Sequence, residues 1–109
     1  MVKDTQDSFE QIRRGLLEFL TLKIISSGDK YSADILAALA DTQFKTQEGT
    51  LYPLLSKLRR ESLLEYSWKE SETGPPRKYY ALTAAGTKRL EDLQEYWESI
   101  NKTIKNLGK

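Results

Sequence analysis

The segment covering residues 49–60 constrains the fold of this chain more than any other part of the sequence. Its leucines recur at the i, i+3, i+4, i+7 spacing of one helix face. They are Leu51, Leu54, Leu55 and Leu58. Because proline lacks an amide hydrogen and crowds the carbonyl four residues earlier, Pro53 places the helix start close to Glu48 or Gly49. The segment therefore predicts a helix with one buried face and one exposed face.

The exposed face of this helix is rich in hydroxyl and basic side chains. Tyr, Thr and Ser donate hydrogen bonds to DNA phosphates, Lys and Arg neutralise phosphates, and both kinds reach base edges in the major groove. The simpler alternative is a solvated polar face, because most amphipathic helices carry charge outward without binding anything. The segments on either side of the helix favour the DNA-binding interpretation.

Composition excludes several functional classes. The 109 residues include 17 basic and 16 acidic side chains, so any DNA-binding charge has to be local. The absence of cysteine and histidine removes thiolate chemistry, the commonest general base and the commonest metal ligand. We therefore expect a protein that is not an enzyme and uses no metal or cofactor. The sequence shows no long apolar run or secretory leader, which favours a cytoplasmic protein.

The first predicted helix is apolar on more than one side. Ser8 and Gln11 form the pattern of a capping box that opens a helix after a loose stretch over residues 1–7, and Gly28 is placed to cap its end near Ser27. A helix that is hydrophobic on two sides usually packs against two partners. We expect one partner to be the domain core and the other to be a second subunit, contacted by Phe9 and Ile12.

A helix-turn-helix follows. Ser32 is a candidate N-cap for a short helix that ends near Ala40 or Asp41. Residues 41–47 form a polar link in which Phe44 is the expected anchor to the core. Two short helices joined by a brief turn, the second exposing hydrogen-bond donors, match the plan of this DNA-binding motif.

A β-hairpin is predicted after the helix-turn-helix. Apolar and polar residues alternate over residues 64–69, and residues 79–82 form a second β-rich run. We expect a rigid turn over residues 70–76, since neither Pro75 nor Pro76 can donate a strand hydrogen bond. We interpret this hairpin as the wing of a winged helix. Arg77 and Lys78 follow its turn directly, where a wing touches the DNA backbone or enters the minor groove. Their alternative role is to discourage aggregation of an edge strand.

The C-terminal segment predicts a dimerisation helix. Thr83 is its expected N-cap, and an apolar seam then follows with spacings of 3, 4, 3, 4 and 3 residues. The seam consists of Leu90, Leu93, Trp97, Ile100, Ile104 and Leu107. About two and a half heptads are short for a free coiled coil, so the seam is expected to work with the first helix, within the chain or across a homodimer. The fold class is mostly α with a small β-hairpin (α+β).

Two separated motifs carry a resemblance to a known family. They are the run Gly49-Thr50-Leu51-Tyr52-Pro53-Leu54-Leu55 followed by Leu58 and Glu61, and the run Gly74-Pro75-Pro76-Arg77-Lys78-Tyr79-Tyr80-Ala81-Leu82-Thr83 followed by Gly86. Together they closely resemble the PadR family of transcriptional repressors, over nearly the whole chain. The resemblance implies a winged helix-turn-helix domain over residues 1–82 and a dimerisation helix over residues 83–109. Ser62 departs from the family pattern, which has glycine at the end of the recognition helix.

The resemblance places Thr50, Tyr52 and Lys57 on the recognition helix and Arg77 and Lys78 on the wing. With three further polar residues at or on the exposed face of that helix, the residues expected to bind operator DNA are Gln47, Thr50, Tyr52, Ser56, Lys57, Arg60, Arg77 and Lys78. The expected homodimer interface comprises Phe9, Ile12 and the six residues of the C-terminal seam. The single C-terminal helix is similar to that of the compact subfamily that includes the lactococcal multidrug regulator.

In that multidrug regulator, the tryptophan of the corresponding helix lines a pore at the dimer centre and stacks on flat aromatic drugs, and Trp97 lies in a similar helix and seam. Trp97, with Tyr96 beside it, is therefore a candidate for binding a small-molecule effector. The alternative is that Trp97 only packs the dimer, since buried tryptophans dominate many interfaces. For the whole chain, the expected function is a dimeric repressor, and the alternative is a winged-helix module that binds a protein and no specific DNA.

Overall fold

Four helices and one hairpin make up the fold. The computed structural model describes the backbone of residues 2–109 and the side chains from Phe9 onward. In chain order the elements are α1 (Val2–Ile25), α2 (Ser32–Leu39), α3 (Glu48–Arg60), β1 (Leu64–Ser71), β2 (Gly74–Leu82) and α4 (Ala84–Asn106). This order confirms the expected α+β class with a winged helix-turn-helix at its centre.

The hydrophobic core lies where α1, α2, α3 and the base of the hairpin meet. Apolar residues from each of these elements are buried there: Leu17, Leu22, Ile25, Ile35, Leu39, Leu51, Leu55, Leu58, Leu63, Leu64 and Tyr80. Phe44 packs against this cluster and anchors the α2–α3 link, as predicted. Because three leucines of α3 are part of the core, the helix is fixed with its polar face outward. Burial in the same core raises the pKa of the Tyr80 phenol, since the low-dielectric surroundings disfavour the charged form.

The predicted start of α1 was wrong. Residue 8 lies inside the helix, which begins at Val2, so the capping box at Ser8 and Gln11 is excluded. Residues 2–7 of the stretch predicted to be loose are helical, and residue 1 lies outside the described residues. No glycine or proline occurs between residues 2 and 8 to interrupt the helical hydrogen bonds. The other end agrees better with the sequence. Gly28 takes a φ of 143°, and its amide donates to the carbonyl of Ile25 at 3.1 Å.

The helix-turn-helix forms with one changed cap. The N-cap of α2 is Tyr31, and the Asp34 carboxylate accepts a hydrogen bond from its amide at 3.2 Å. The prediction of Ser32 as this cap was wrong by one residue, because the Ser32 hydroxyl is instead engaged with α3. The predicted start of α3 is confirmed at Glu48, with Pro53 inside the helix.

The hairpin is longer than the sequence predicted. Both Pro75 and Pro76 lie within β2, so the predicted turn over residues 70–76 was wrong. A register irregularity between Lys69 and Ser71 accompanies them, and such bulges tolerate residues that cannot join the ladder. At the base, Lys30 and Tyr80 exchange two backbone hydrogen bonds of 3.0 and 2.7 Å. This short bridge fastens the α1–α2 link to β2.

Ser62 and Thr83 together set the position of α4. Ser62 closes α3 with a φ of 64°, and the amide of Leu63 donates to the carbonyl of Leu58 at 2.9 Å in a Schellman-type end. The Thr83 hydroxyl donates to the carbonyl of Ser62 at 2.6 Å and accepts from the amide of Gly86 at 2.9 Å. Thr83 is thus confirmed as the N-cap of α4.

Helix α4 packs back along α1. Leu90 and Leu93 contact the core, whereas the later seam residues Ile104 and Leu107 are 64 % and 72 % exposed. The apolar seam is therefore divided between a part that the chain covers itself and a part that it leaves exposed. No helix in the described part of the chain is long and apolar enough to cross a bilayer.

Candidate nucleic-acid interface

The polar face of α3 is exposed along its whole length. Thr50, Tyr52, Ser56 and Arg60 point to solvent, and Gln47 is exposed at the N-cap. On the opposite face Leu51, Leu55 and Leu58 are buried, and Leu54 is partly buried. This division follows from the leucine spacing in the sequence. A 13-residue helix held in this way presents donors and cations on a surface that fits a major groove.

The structure brings four of the predicted DNA-binding residues to one notch. Tyr52 and Ser56 of α3 face Arg77 and Lys78 of β2 across a depression of about 340 Å³. Tyr31, Ser32 and Tyr80 complete its lining. The hydroxyl groups of Ser32 and Tyr52 lie 3.1 Å apart within hydrogen-bonding distance, so α2 fixes the tyrosine of the recognition helix. Hydroxyl groups beside the guanidinium of Arg77, which lies over Tyr31 of the same lining, suit an anionic phosphate.

The two wing cations are held by aromatic rings. The guanidinium of Arg77 lies 4.6 Å from the ring centre of Tyr31, and the ammonium of Lys78 lies 4.4 Å from that of Tyr66 and 5.5 Å from that of Trp68. Cation–π contacts of this length restrict the side chains without neutralising their charge. Arg77 and Lys78 are consequently restrained in position while their positive charge remains.

A second basic depression lies on the other side of α3. Thr50 lines a cleft of about 280 Å³ together with Arg13 and Arg14 of α1 and Lys45 of the α2–α3 link. Arg13 is paired with Glu10 at 2.9 Å, and this hydrogen bond and charge lower the pKa of the Glu10 carboxyl. Sequence reasoning missed this cleft, since only folding brings α1 and the link beside Thr50.

Lys57 occupies a different environment from the other predicted DNA-binding residues. Its ammonium lies 3.3 Å from Oε1 of Glu18 on α1 and 4.0 Å from Oε2 of Glu61. The sequence predicted Lys57 as a phosphate contact on equal terms with Arg60. In the folded chain it is paired with carboxylates, whereas Arg60 has no ion pair or cation–π partner among the described residues.

The predicted effector residues line an apolar groove between α1 and α4. Trp97 and Ile100 of α4 face Ile12, Leu16 and Phe19 of α1 across about 290 Å³. Tyr96 also borders the groove but is 67 % exposed. The groove thus collects residues that the sequence assigned separately to the dimer and to a ligand.

Comparison with known proteins decides the family. The profile of the "Transcriptional regulator PadR-like family" matches residues 21–92, which include α2, α3, the whole hairpin and the start of α4. The chain belongs to the PadR-like family. This membership confirms the expectation of a transcriptional regulator, as opposed to an enzyme.

Solved structures of PadR-like proteins superpose on nearly the whole chain. A PadR-like transcription factor of Bacteroides fragilis is 38 % identical, with a TM-score of 0.80 over 94 % of this chain and 99 % of that one. A PadR-like regulator of Bacillus cereus is 37 % identical, with a TM-score of 0.81 over 89 % and 95 % of the two chains. One of Eggerthella lenta is 28 % identical, with a TM-score of 0.85 over 96 % and 92 %. The whole fold, including α4, is therefore shared with PadR-family regulators.

Within this PadR-family fold, the sequence located the recognition helix and the wing but not their supports. Tyr31 and Ser32, which contact Arg77 and Tyr52, were not recognised as part of the site. The only sequence signal for Tyr31 and Ser32 was their position at the start of α2. That position becomes part of the site because Lys30 pairs with Tyr80, and a contact between residues so far apart in sequence leaves no local pattern.

Proposed function

We propose that this PadR-family protein is a homodimeric, sequence-specific DNA-binding repressor. The observation that carries the proposal is the notch in which Tyr52 and Ser56 of the recognition helix face Arg77 and Lys78 of the wing. A single DNA strand that follows the groove edge passes between a recognition helix and its wing. Tyr52 and the wing cations then act on adjoining phosphates, while Ser56 and the rest of the α3 face read bases.

The distribution of charge supports this role. The chain has a net charge of only +1, yet basic side chains flank α3 on both sides, in the notch and in the cleft beside Thr50. A local basic surface on a near-neutral protein favours binding at one orientation over general coating of nucleic acid. We assign phosphate contacts to Arg77, Lys78 and Arg60, and base or groove contacts to Gln47, Thr50 and Ser56.

Homodimer formation is the second part of the proposal. The exposed ends of the seam, Ile104 and Leu107, and the exposed Phe9 and Ile12 of α1 leave apolar surface on the two helices that already pack together. A second copy would bury this surface and present two recognition helices, about 34 Å apart, to successive major grooves. In a cytoplasmic dimer of this kind, Trp97 lines the α1–α4 groove where a planar aromatic effector would relieve repression.

The decisive experiment selects DNA from the genome. The purified protein is incubated with sheared genomic DNA, bound fragments are recovered and sequenced, and the enriched duplex is titrated beside a scrambled duplex in about 150 mM salt. We expect preference for the enriched duplex by roughly a thousandfold or more. Enrichment of no fragment, with equal weak binding to all duplexes, would overturn the proposal and favour a winged-helix module that binds a protein.

Substitutions separate phosphate contacts from base contacts in the same assay. Arg77→Met should weaken binding to specific and scrambled duplexes alike and make the salt dependence shallower by about 0.9 in the log–log slope. Ser56→Ala should reduce the preference for the specific duplex. Lys105→Met, the matched loss of one positive charge near the end of α4, should leave both affinities within about twofold. Equal effects of all three changes would contradict the assignment.

A further inference from the structure

One carboxylate connects the recognition helix to both long helices. Oε1 of Glu18 on α1 lies 3.3 Å from the ammonium of Lys57 on α3, and Oε2 lies 3.1 Å from Nη1 of Arg89 on α4. The Glu18 side chain is only 19 % exposed, whereas that of Lys57 is 52 % exposed. The carboxylate is therefore held by its surroundings, and the lysine is the partner that can leave.

This pairing changes the charge that α3 offers to DNA. An ion pair at 3.3 Å compensates the ammonium of Lys57, and Glu61 at 4.0 Å adds a second carboxylate. For Lys57 to bind a phosphate, it has to exchange a partly buried carboxylate for the phosphate. Partial burial strengthens such a pair relative to a fully exposed one, since less water screens the charges.

We propose that Glu18 is a positioning residue that holds Lys57 back from DNA and so sets the affinity of the recognition helix. The inference rests on the proposed DNA-binding function and adds a residue outside the interface that limits it. Glu18 touches no DNA in this arrangement and acts only through Lys57. Glu18 thereby lowers the affinity for DNA, and by the same factor for specific and non-specific duplexes, because a phosphate contact does not depend on sequence.

Arg89 acts in the opposite sense. It shares the Glu18 carboxylate from the α4 side, so it competes with Lys57 for the same negative charge. Loss of Arg89 leaves the whole carboxylate to Lys57 and tightens the restraint. The position of α4 relative to α1 thereby influences how firmly Lys57 is held, which links the α1–α4 packing to the recognition helix through one side chain.

A double-mutant cycle between Glu18 and Lys57 tests the proposal. The affinities of wild type, Glu18→Gln, Lys57→Met and the double variant are measured by fluorescence anisotropy on the genomically enriched duplex and on its scrambled form. One added phosphate contact increases affinity by about fivefold at 0.15 M salt, from a slope of about 0.9 per phosphate. We expect Glu18→Gln to bind about fivefold tighter to both duplexes, with a salt slope steeper by about 0.9.

The lysine substitution provides the readout that a purely structural role would not produce. Lys57→Met should cost less than about twofold in the wild-type background and about fivefold in the Glu18→Gln background, where the ammonium is free to bind phosphate. Arg89→Met should weaken binding, and this loss should vanish when Lys57 is also replaced. Urea unfolding of each variant confirms that the compared proteins are folded.

Two control variants account for net charge. Glu95→Gln adds the same charge on α4, and Lys88→Met removes the same charge as Arg89→Met one residue away, where Lys88 is paired with Asp92 at 2.7 Å. Both should alter affinity by less than about twofold.

Equal losses from Lys57→Met in both Glu18 backgrounds, or weaker binding by Glu18→Gln, would overturn this inference alone. Absence of DNA binding by the wild-type protein would overturn the proposed function and this inference with it.

Discussion

Ser62 holds a backbone conformation that glycine adopts at lower cost. Its φ of 64° lies in the left-handed region, where the Cβ of an L-residue approaches the carbonyl oxygen. We expect Ser62→Gly to raise the free energy of unfolding by about 1 kcal/mol, because glycine carries no such penalty at a Schellman end. Urea unfolding measures the change. The control is Ser67→Gly within β1, where glycine should lower stability by roughly 0.5–1 kcal/mol.

Thr21 is a second residue that is poorly suited to its surroundings, because it places a hydroxyl group in the apolar core. Its side chain is fully buried in α1, and its hydroxyl oxygen has no hydrogen-bond partner among the described residues. Valine has nearly the same shape without the hydroxyl, so Thr21→Val should raise the free energy of unfolding by about 1 kcal/mol. The measurement is thermal or urea unfolding monitored by circular dichroism.

Thr42 is the comparison for Thr21, since it is an exposed threonine whose hydroxyl is fully hydrogen-bonded. Its hydroxyl donates to the carbonyl of Leu39 at 2.8 Å and accepts from the amide of Phe44 at 3.0 Å. Thr42→Val should therefore lower stability by about 1 kcal/mol. A loss of stability from both substitutions would show that the Thr21 hydroxyl is satisfied in solution.

Gly86 determines how closely α4 approaches the end of α3. A Cβ at this position would overlap the carbonyl oxygen of Leu63. Because backbone on both sides forms the contact, Gly86→Ala should displace the start of α4 and lower the free energy of unfolding by about 2 kcal/mol or more. Urea unfolding tests this expectation. At Gly15, by contrast, an added Cβ meets nothing within 4 Å, and Gly15→Ala should stabilise α1 by about 0.5–1 kcal/mol.

The elements were predictable where a local pattern dictates them. The leucine spacing and Pro53 located α3, and Thr83 located the start of α4. The errors arose where no local pattern decides between alternatives. Nothing in residues 2–8 favours a helix strongly, and Pro75 and Pro76 were assigned to a turn because the bulge that admits them depends on pairing with β1.

The candidate site was predictable to a similar extent and for the same reason. Tyr52, Ser56, Arg77 and Lys78 follow from their places on a helix and a wing, and folding does bring them to one notch. The partners of these residues come from distant segments, as with Tyr31 beneath Arg77. The pairing of Lys57 with Glu18 spans 39 residues and has no periodic signature in the sequence. Tertiary ion pairs of this kind are decided by how helices pack.

Two copies of the chain are expected to associate through α1 and α4. A chain of 109 residues buries a limited core, and this one leaves Ile104 and Leu107 largely exposed at the end of its seam. The double change Ile104→Glu and Leu107→Glu places two charges on that surface. In a dimer these carboxylates would be desolvated without partners, so we expect the variant to sediment as a monomer at micromolar concentration.

The same variant connects assembly to DNA binding. A monomer presents one recognition helix, so its affinity for a two-half-site operator should fall by at least about a hundredfold, while its weak binding to scrambled DNA should change far less. Thr103→Glu provides the control, because Thr103 is exposed on α4 but lies outside the apolar seam. It should remain dimeric and bind the operator within about threefold of wild type. A seam variant that still sediments as a dimer would place the subunit interface elsewhere on the molecule.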